Sequence, residues 1–116
     1  MSTRATYTIH NIELRPQTYY IHHDGYEAGA KMYFQEMVDY KGPGTNQDKF
    51  IKANEGATFT EGRNVHGDTE YHYNLSSDDQ ITIQQPIFKQ EQPRIRDWTT
   101  TKTISLDEWL KEKDDE

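Results

Sequence analysis

Adjacent histidines followed by an aspartate, His22, His23 and Asp24, are the first residues whose types could do chemistry, because imidazole and carboxylate groups bind metals and move protons. In an extended strand, however, neighbouring side chains point to opposite faces, so the two histidines are not expected to close on one ion. His66 with Asp68, and His72, lie far off in sequence, and no group has the spacing of a zinc motif. The expectation is histidines bonded to neighbours within a sheet, with no metal and no other cofactor.

A two-histidine phosphodiesterase needs His followed two residues later by Thr or Ser, twice. After His10, His22, His23, His66 and His72 stand Ile12, Asp24, Gly25, Asp68 and Asn74, so that motif is absent. The chain has no cysteine, which removes thiol nucleophiles, thiolate metal sites and disulfides. It also has no Gly-rich phosphate loop, and Ser76, Ser77 and Ser105 read as turn and cap residues. The expectation is a protein that binds rather than catalyses.

The most suggestive run is Arg94, Arg96, Trp98, Thr100 and Lys102, which strand alternation would place on one face. Guanidinium forks pair with phosphate oxygens and an aromatic ring stacks on a base, so such a row suits a small anionic nucleotide. It also suits an edge strand guarded by basic residues against aggregation. Tyr71, His72 and Tyr73 are open in the same way, as a stacking platform or as core.

The element that must position these groups is TYYIHHDGYEAGAKMYFQEMVDY, residues 18–40. Its β-branched and aromatic start predicts a strand over 18–23. Asp24 and Glu27 then read as a capping box. Tyr26, Ala30, Tyr33, Phe34, Met37 and Val38 follow at helical spacing, on the face expected to pack on a sheet. Before this run, alternation over 5–10 predicts a strand, antiparallel to the next because the connection is short. After it, Gly42, Pro43 and Gly44 stop the helix. Thr45 with Asp48 opens a second one, with Phe50, Ile51 and Ala53 as its apolar side, and a strand follows near 58–61.

Residues 70–75 and 80–84 form a second predicted hairpin, limited by Pro86, and residues 94–104 read as extended. Ser105 with Glu108 caps a last helix anchored by Leu106, Trp109 and Leu110. The expected fold is a single α+β domain spanning 1–116. An antiparallel sheet of two hairpins plus an additional strand carries two central helices on one face and a short C-terminal helix.

The hydrophobic fraction is only 32%, and eight of those residues are Tyr, so much of the core must be aromatic with hydroxyls that need partners. The net charge is −7, but residues 107–116 hold six acids against two lysines, leaving −3 for the rest. That is a mixed surface with an acidic tail, unlike a duplex mimic with phosphate-like spacing of carboxylates. No apolar run is long enough to span a bilayer, so a cytoplasmic protein is expected.

The runs YIHHDGY and EAGAKMYF, with FIKANEGATFTE and HGDTEYHY further on, resemble the Thoeris anti-defence family of phage signal sponges, the first described kind, over about residues 5–75. The resemblance implies a non-catalytic protein, acting in the host cytoplasm, that sequesters a cyclic ADP-ribose isomer or a related cyclic nucleotide. It further implies a homo-oligomer, with neither a nucleic acid duplex nor a membrane as partner. Carried over, it implies a pocket drawing on His23, Lys52, Tyr73, Asn74, Arg96 and Thr100, to which the basic face adds Arg94. Glu27 stands where the family would place Pro. Lys52 stands where the family would place Arg, so a point charge replaces a fork. The alternatives are an anti-CRISPR-like inhibitor acting by protein contact, and a small hydrolase.

Overall fold

In the computed structural model, which describes residues 3–11, 15–62, 69–87 and 97–112, the order is β1 (Arg4–Ile9), β2 (Gln17–Ile21), α1 (Glu27–Asp39), α2 (Asn46–Ala53), β3 (Thr58–Thr60), β4 (Thr69–Leu75), β5 (Gln80–Ile87), β6 (Asp97–Ser105) and α3 (Leu106–Lys111). The strands form one sheet in the order β3-β2-β1-β4-β5-β6. The α+β class is as expected, but the sheet is mixed. β1 and β4 run parallel, the other neighbours antiparallel. The helices and β3 intervene between β2 and β4, which gives the chain the length a parallel return requires.

Register separates the two faces. Phe59, Tyr19, Tyr7, Tyr73, Ile83 and Lys102 lie opposite one another across all six strands. One step along, on the other face, run Thr60, Thr18, Thr8, Asn74, Thr82 and Thr103. The helices cover the aromatic face. Tyr7 meets Phe34 of α1 at 5.8 Å and Phe50 of α2 at 5.3 Å, and Tyr73 meets Trp109 of α3 at 5.9 Å. Each such buried side chain contributes about 1.5–3 kcal/mol. The tyrosine-rich composition therefore fills a core, and Tyr73 belongs to it.

The α2 capping box forms as expected, Thr45 taking the Asp48 amide while Asp48 takes that of Thr45. A buried Gln47 ties this helix to the sheet, donating to the carbonyls of Ile9 at 2.9 Å and Arg15 at 2.8 Å.

At α1 the expected box is absent. The N-cap is Tyr26, with no side-chain bond. Asp24 accepts instead from the Tyr26 hydroxyl, and Glu27 reaches the Trp109 indole at 3.4 Å and Lys102 at 3.5 Å, so distant partners win over local capping. The buried stripe is narrower than expected. Gly29, Ala30, Phe34 and Met37 are buried, whereas Tyr26 and Val38 are 45% and 50% exposed.

Pro86 does not end β5, because β4 pairs no further along it than Gln84 and no ladder bond is lost on that side. In β6 a bulge interrupts alternation, since Gln84 faces Thr100 while its neighbour Ile83 faces Lys102. Lys102 is thus turned to the helix side, where the hydrogen bond that it donates to the Glu112 carboxylate raises its pKa. Trp98 lies on the other face against His72, at 5.9 Å. The single basic row expected from alternation is therefore broken within the described part of β6. Arg94 and Arg96 lie outside the described residues, as do Arg63, His66 and Asp68.

Candidate ligand-binding site

β2 ends at Ile21, two residues earlier than alternation implies, and His22 and His23 fall in the bend that follows. Opposite-face geometry therefore does not apply to them. Their rings meet edge to face at 5.0 Å, and both line one hollow of about 430 Å³ that also takes in Tyr33 of α1, Lys52 of α2, Asn54 and Glu55. That volume lies within the range of small-molecule sites, about 300–1,000 Å³.

The turn carrying the histidines is held from several sides. Tyr33 donates to the His23 carbonyl at 2.8 Å, Tyr73 to the Gly25 carbonyl at 2.6 Å, and the Gly25 amide to the Thr3 carbonyl at 2.8 Å. Asp24 adopts a φ of 57°, a left-handed conformation that is uncommon outside glycine, asparagine and aspartate. Gly25 has no room for a side chain, since a Cβ there would sit 2.7 Å from that of Ala5. A Cβ on Gly29 would run into the Asp24 carbonyl. Over-determined strain of this kind, costing about 1–3 kcal/mol, tends to collect at ligand sites.

The electrostatics of the hollow are mixed. Lys52 brings a positive charge to the last turn of α2, where the helix end is partially negative, and Glu55 brings a carboxylate one turn on. Asn54 is structural, donating to the carbonyls of Tyr33 and Phe50 and so joining α2 to α1. What remains to act on a ligand is two imidazoles, an ammonium and a carboxylate. Among the described residues, no group of three or more His, Asp or Glu is placed to hold a metal ion.

Of the expected site residues, His23 and Lys52 come together here. Tyr73 does not, being fully buried beneath the turn with its hydroxyl spent on Gly25. Asn74 is on the opposite face of the sheet, bonded to His10 at 2.9 Å. Thr100 is exposed on β6 at the far side of the sheet, within 3.3 Å of Gln84. Sequence reasoning missed His22, Tyr33 and Glu55 as lining groups. His22 was passed over because a strand was extended through it; Tyr33 and Glu55 carried no signal apart from their neighbours.

Two other cavities gather none of the expected residues. One, of about 280 Å³, lies between Met37, Val38, Leu106 and Leu110; the other, of about 390 Å³, is beside Tyr26 and Tyr71. No protein-family model, curated protein or solved structure matches the chain.

Proposed function

We propose that the protein captures a small anionic nucleotide of the cyclic ADP-ribose type in the hollow beside His23 and holds it without cleaving it. The observation carrying this reading is that His22, His23 and Lys52 share a ligand-sized hollow with Glu55, on a turn fixed in advance. A pyrophosphate suits the imidazoles and the Lys52 ammonium through charge-assisted bonds, and ribose hydroxyls suit the carboxylate. Prior rigidity lowers the ordering cost of binding, which matters because nanomolar capture requires about 12 kcal/mol. Glu55 is the one carboxylate among the described lining residues, whereas glycosidic hydrolysis generally uses two.

Calorimetry with cyclic ADP-ribose isomers and a cyclic dinucleotide tests the reading. Capture followed by recovery of intact ligand after heat denaturation is expected. Conversion to product, or no uptake at micromolar concentration, would sink it. Thr100 could reach a ligand only if a second copy brought it there, so sedimentation with and without nucleotide tests the homo-oligomer implied by the family resemblance. A protein-contact inhibitor is the second reading, supported by Phe59, 65% exposed on the edge strand β3. It gains if nucleotides fail to bind and Phe59→Ser abolishes inhibition of a host defence.

A further inference from the structure

The cavity of about 390 Å³ beside Tyr26 and Tyr71 opens where two strands stop pairing. The ladder between β4 and β5 ends at His72 and Gln84, although β4 reaches back to Thr69 and β5 runs on to Ile87. Continued in register, Tyr71 would meet Gln85, and Glu70 would meet Pro86, which has no N–H to give. All four instead line the cavity, together with Thr3 and Tyr26. On its other flank β4 is bulged. Arg4 pairs with Thr69 and the next residue, Ala5, with Tyr71, leaving Glu70 as the extra residue. A bulge is unusual between parallel strands, and it re-aims a side chain. Strict alternation would send Glu70 and Tyr71 to opposite faces of the sheet, whereas here one cavity takes both.

The lining suits a flat cation. Tyr71 packs on Tyr73 at 6.0 Å, within 13° of parallel, and Tyr73 packs on the buried Tyr7, so the ring is backed by the core. Tyr26, 45% exposed, is steadied by its bond to Asp24, and the Thr3 carbonyl by the Gly25 amide. Aromatic faces attract cations. The exposed Glu70 carboxylate and the Gln85 side-chain carbonyl are acceptors. Among the described lining residues, no side chain is cationic. The positive end of α1 lies at Tyr26, and the carboxylates of Asp24 and Glu27 offset it. A guanidinium answers each of these features. It is planar, stacks on aromatic rings, accepts nothing, and carries a fork of N–H donors that a carboxylate takes two at a time.

We infer that this cavity is a guanidinium site, taking an arginine side chain of a partner protein or a small guanidino compound, with Glu70 as its carboxylate and Tyr26 and Tyr71 as its aromatic walls. It shares no described lining residue with the hollow beside His23, and the inference does not rest on the nucleotide reading. The experiment follows the amide and tyrosine-ring resonances of the intact protein during titration with N-acetyl-arginine methylamide, methylguanidinium, N-acetyl-lysine methylamide and guanosine. The capped arginine should bind at about millimolar concentration and move the signals of Glu70, Tyr71 and Gln85. The capped lysine, a point charge without a fork, should bind about tenfold more weakly. Glu70→Gln should weaken capped arginine about tenfold or more, the loss of a charge-assisted bond, and Tyr26→Ala severalfold. Glu36→Gln, an exposed carboxylate of α1 outside the cavity, should change nothing, and the melting temperature should hold in all three variants.

Equal affinity for methylguanidinium and capped arginine would support the site and point to a small guanidino compound. Capped arginine bound about tenfold more tightly than methylguanidinium would support it and point to a protein side chain. The inference is overturned by any of three results: no shift of these signals at about 10 mM capped arginine, equal affinity for capped lysine, or equal losses in Glu70→Gln and Glu36→Gln, which would reduce the effect to general attraction of cations. Guanosine bound in place of capped arginine would overturn it as well, giving the cavity to a base.

Discussion

Tyr7 and Tyr73 stack ring on ring, 5.2 Å apart and within 12° of parallel, yet their hydroxyls differ in what they meet. That of Tyr73 donates to the Gly25 carbonyl, whereas that of Tyr7, equally buried, has no hydrogen-bond partner among the described residues. One phenol fastens the turn beneath the hollow; the other carries an uncompensated polar atom.

Opposite signs follow for the same conservative change. Tyr73→Phe should cost about 1–3 kcal/mol, because it strands a buried carbonyl. Tyr7→Phe should be neutral or stabilising, since it removes a polar atom that gains nothing from burial. Urea denaturation of the two variants checks this, and equal losses would contradict the assigned hydrogen bonds.

Gly29→Ala should destabilise by about 1–3 kcal/mol or more, although helix propensity alone favours alanine. The added methyl meets the Asp24 carbonyl, so relief requires the His22–His23 turn to move. Nucleotide affinity should fall with stability in this variant. A stable protein with intact binding would show that the turn is not tightly specified.

Affinity should separate the expected site residues into two groups. His23→Ala and Lys52→Ala each remove a group from the hollow and should weaken cyclic ADP-ribose binding about tenfold or more. Asn74→Ala should leave binding unchanged, its partner being His10 on the opposite face. Calorimetry on the three variants decides the matter, and a loss confined to Asn74→Ala would place the ligand on that other face.

Burial pushes the hydroxyls of Tyr7 and Tyr73 well above the ordinary tyrosine value of 10.0 and that of Tyr19 up to about 12. A pKa raised by folding means that the folded state holds its proton more tightly. The associated stability is therefore complete below pH 10.0 and is lost as pH rises through the folded values. Cooperative alkaline unfolding above pH 10.0, with tyrosinate absorbance appearing as circular dichroism is lost, is the expected result. Ionisation of all tyrosines before any unfolding would contradict it.

Much of the fold was legible because its signals are local. Tyr7 and Ile9 alternating with threonines marked β1, alternating Tyr71, Tyr73 and Leu75 marked β4, and the Thr45–Asp48 box and the glycine–proline stop bounded the helices. What could not be read depends on distant partners. Glu27 abandons a capping role for Trp109 and Lys102, and the bulge in β6 turns Lys102 over. Of the residues that the family resemblance implied, His23 and Lys52 line one hollow. Tyr73 was misplaced because a tyrosine in an alternating strand has the same sequence pattern whether it faces a ligand or a helix.

The parallel pairing of β1 with β4 also bears on how the chain acquires its shape. During synthesis β1 can meet β2 almost at once, but its other flank stays bare until residues 69–75 leave the ribosome. The nascent chain must therefore carry Tyr7 and its aromatic neighbours half-wrapped through the making of α1, α2 and β3. Contacts so distant in sequence slow the final closure, and over that interval a chaperone or an aggregating neighbour has access to this surface.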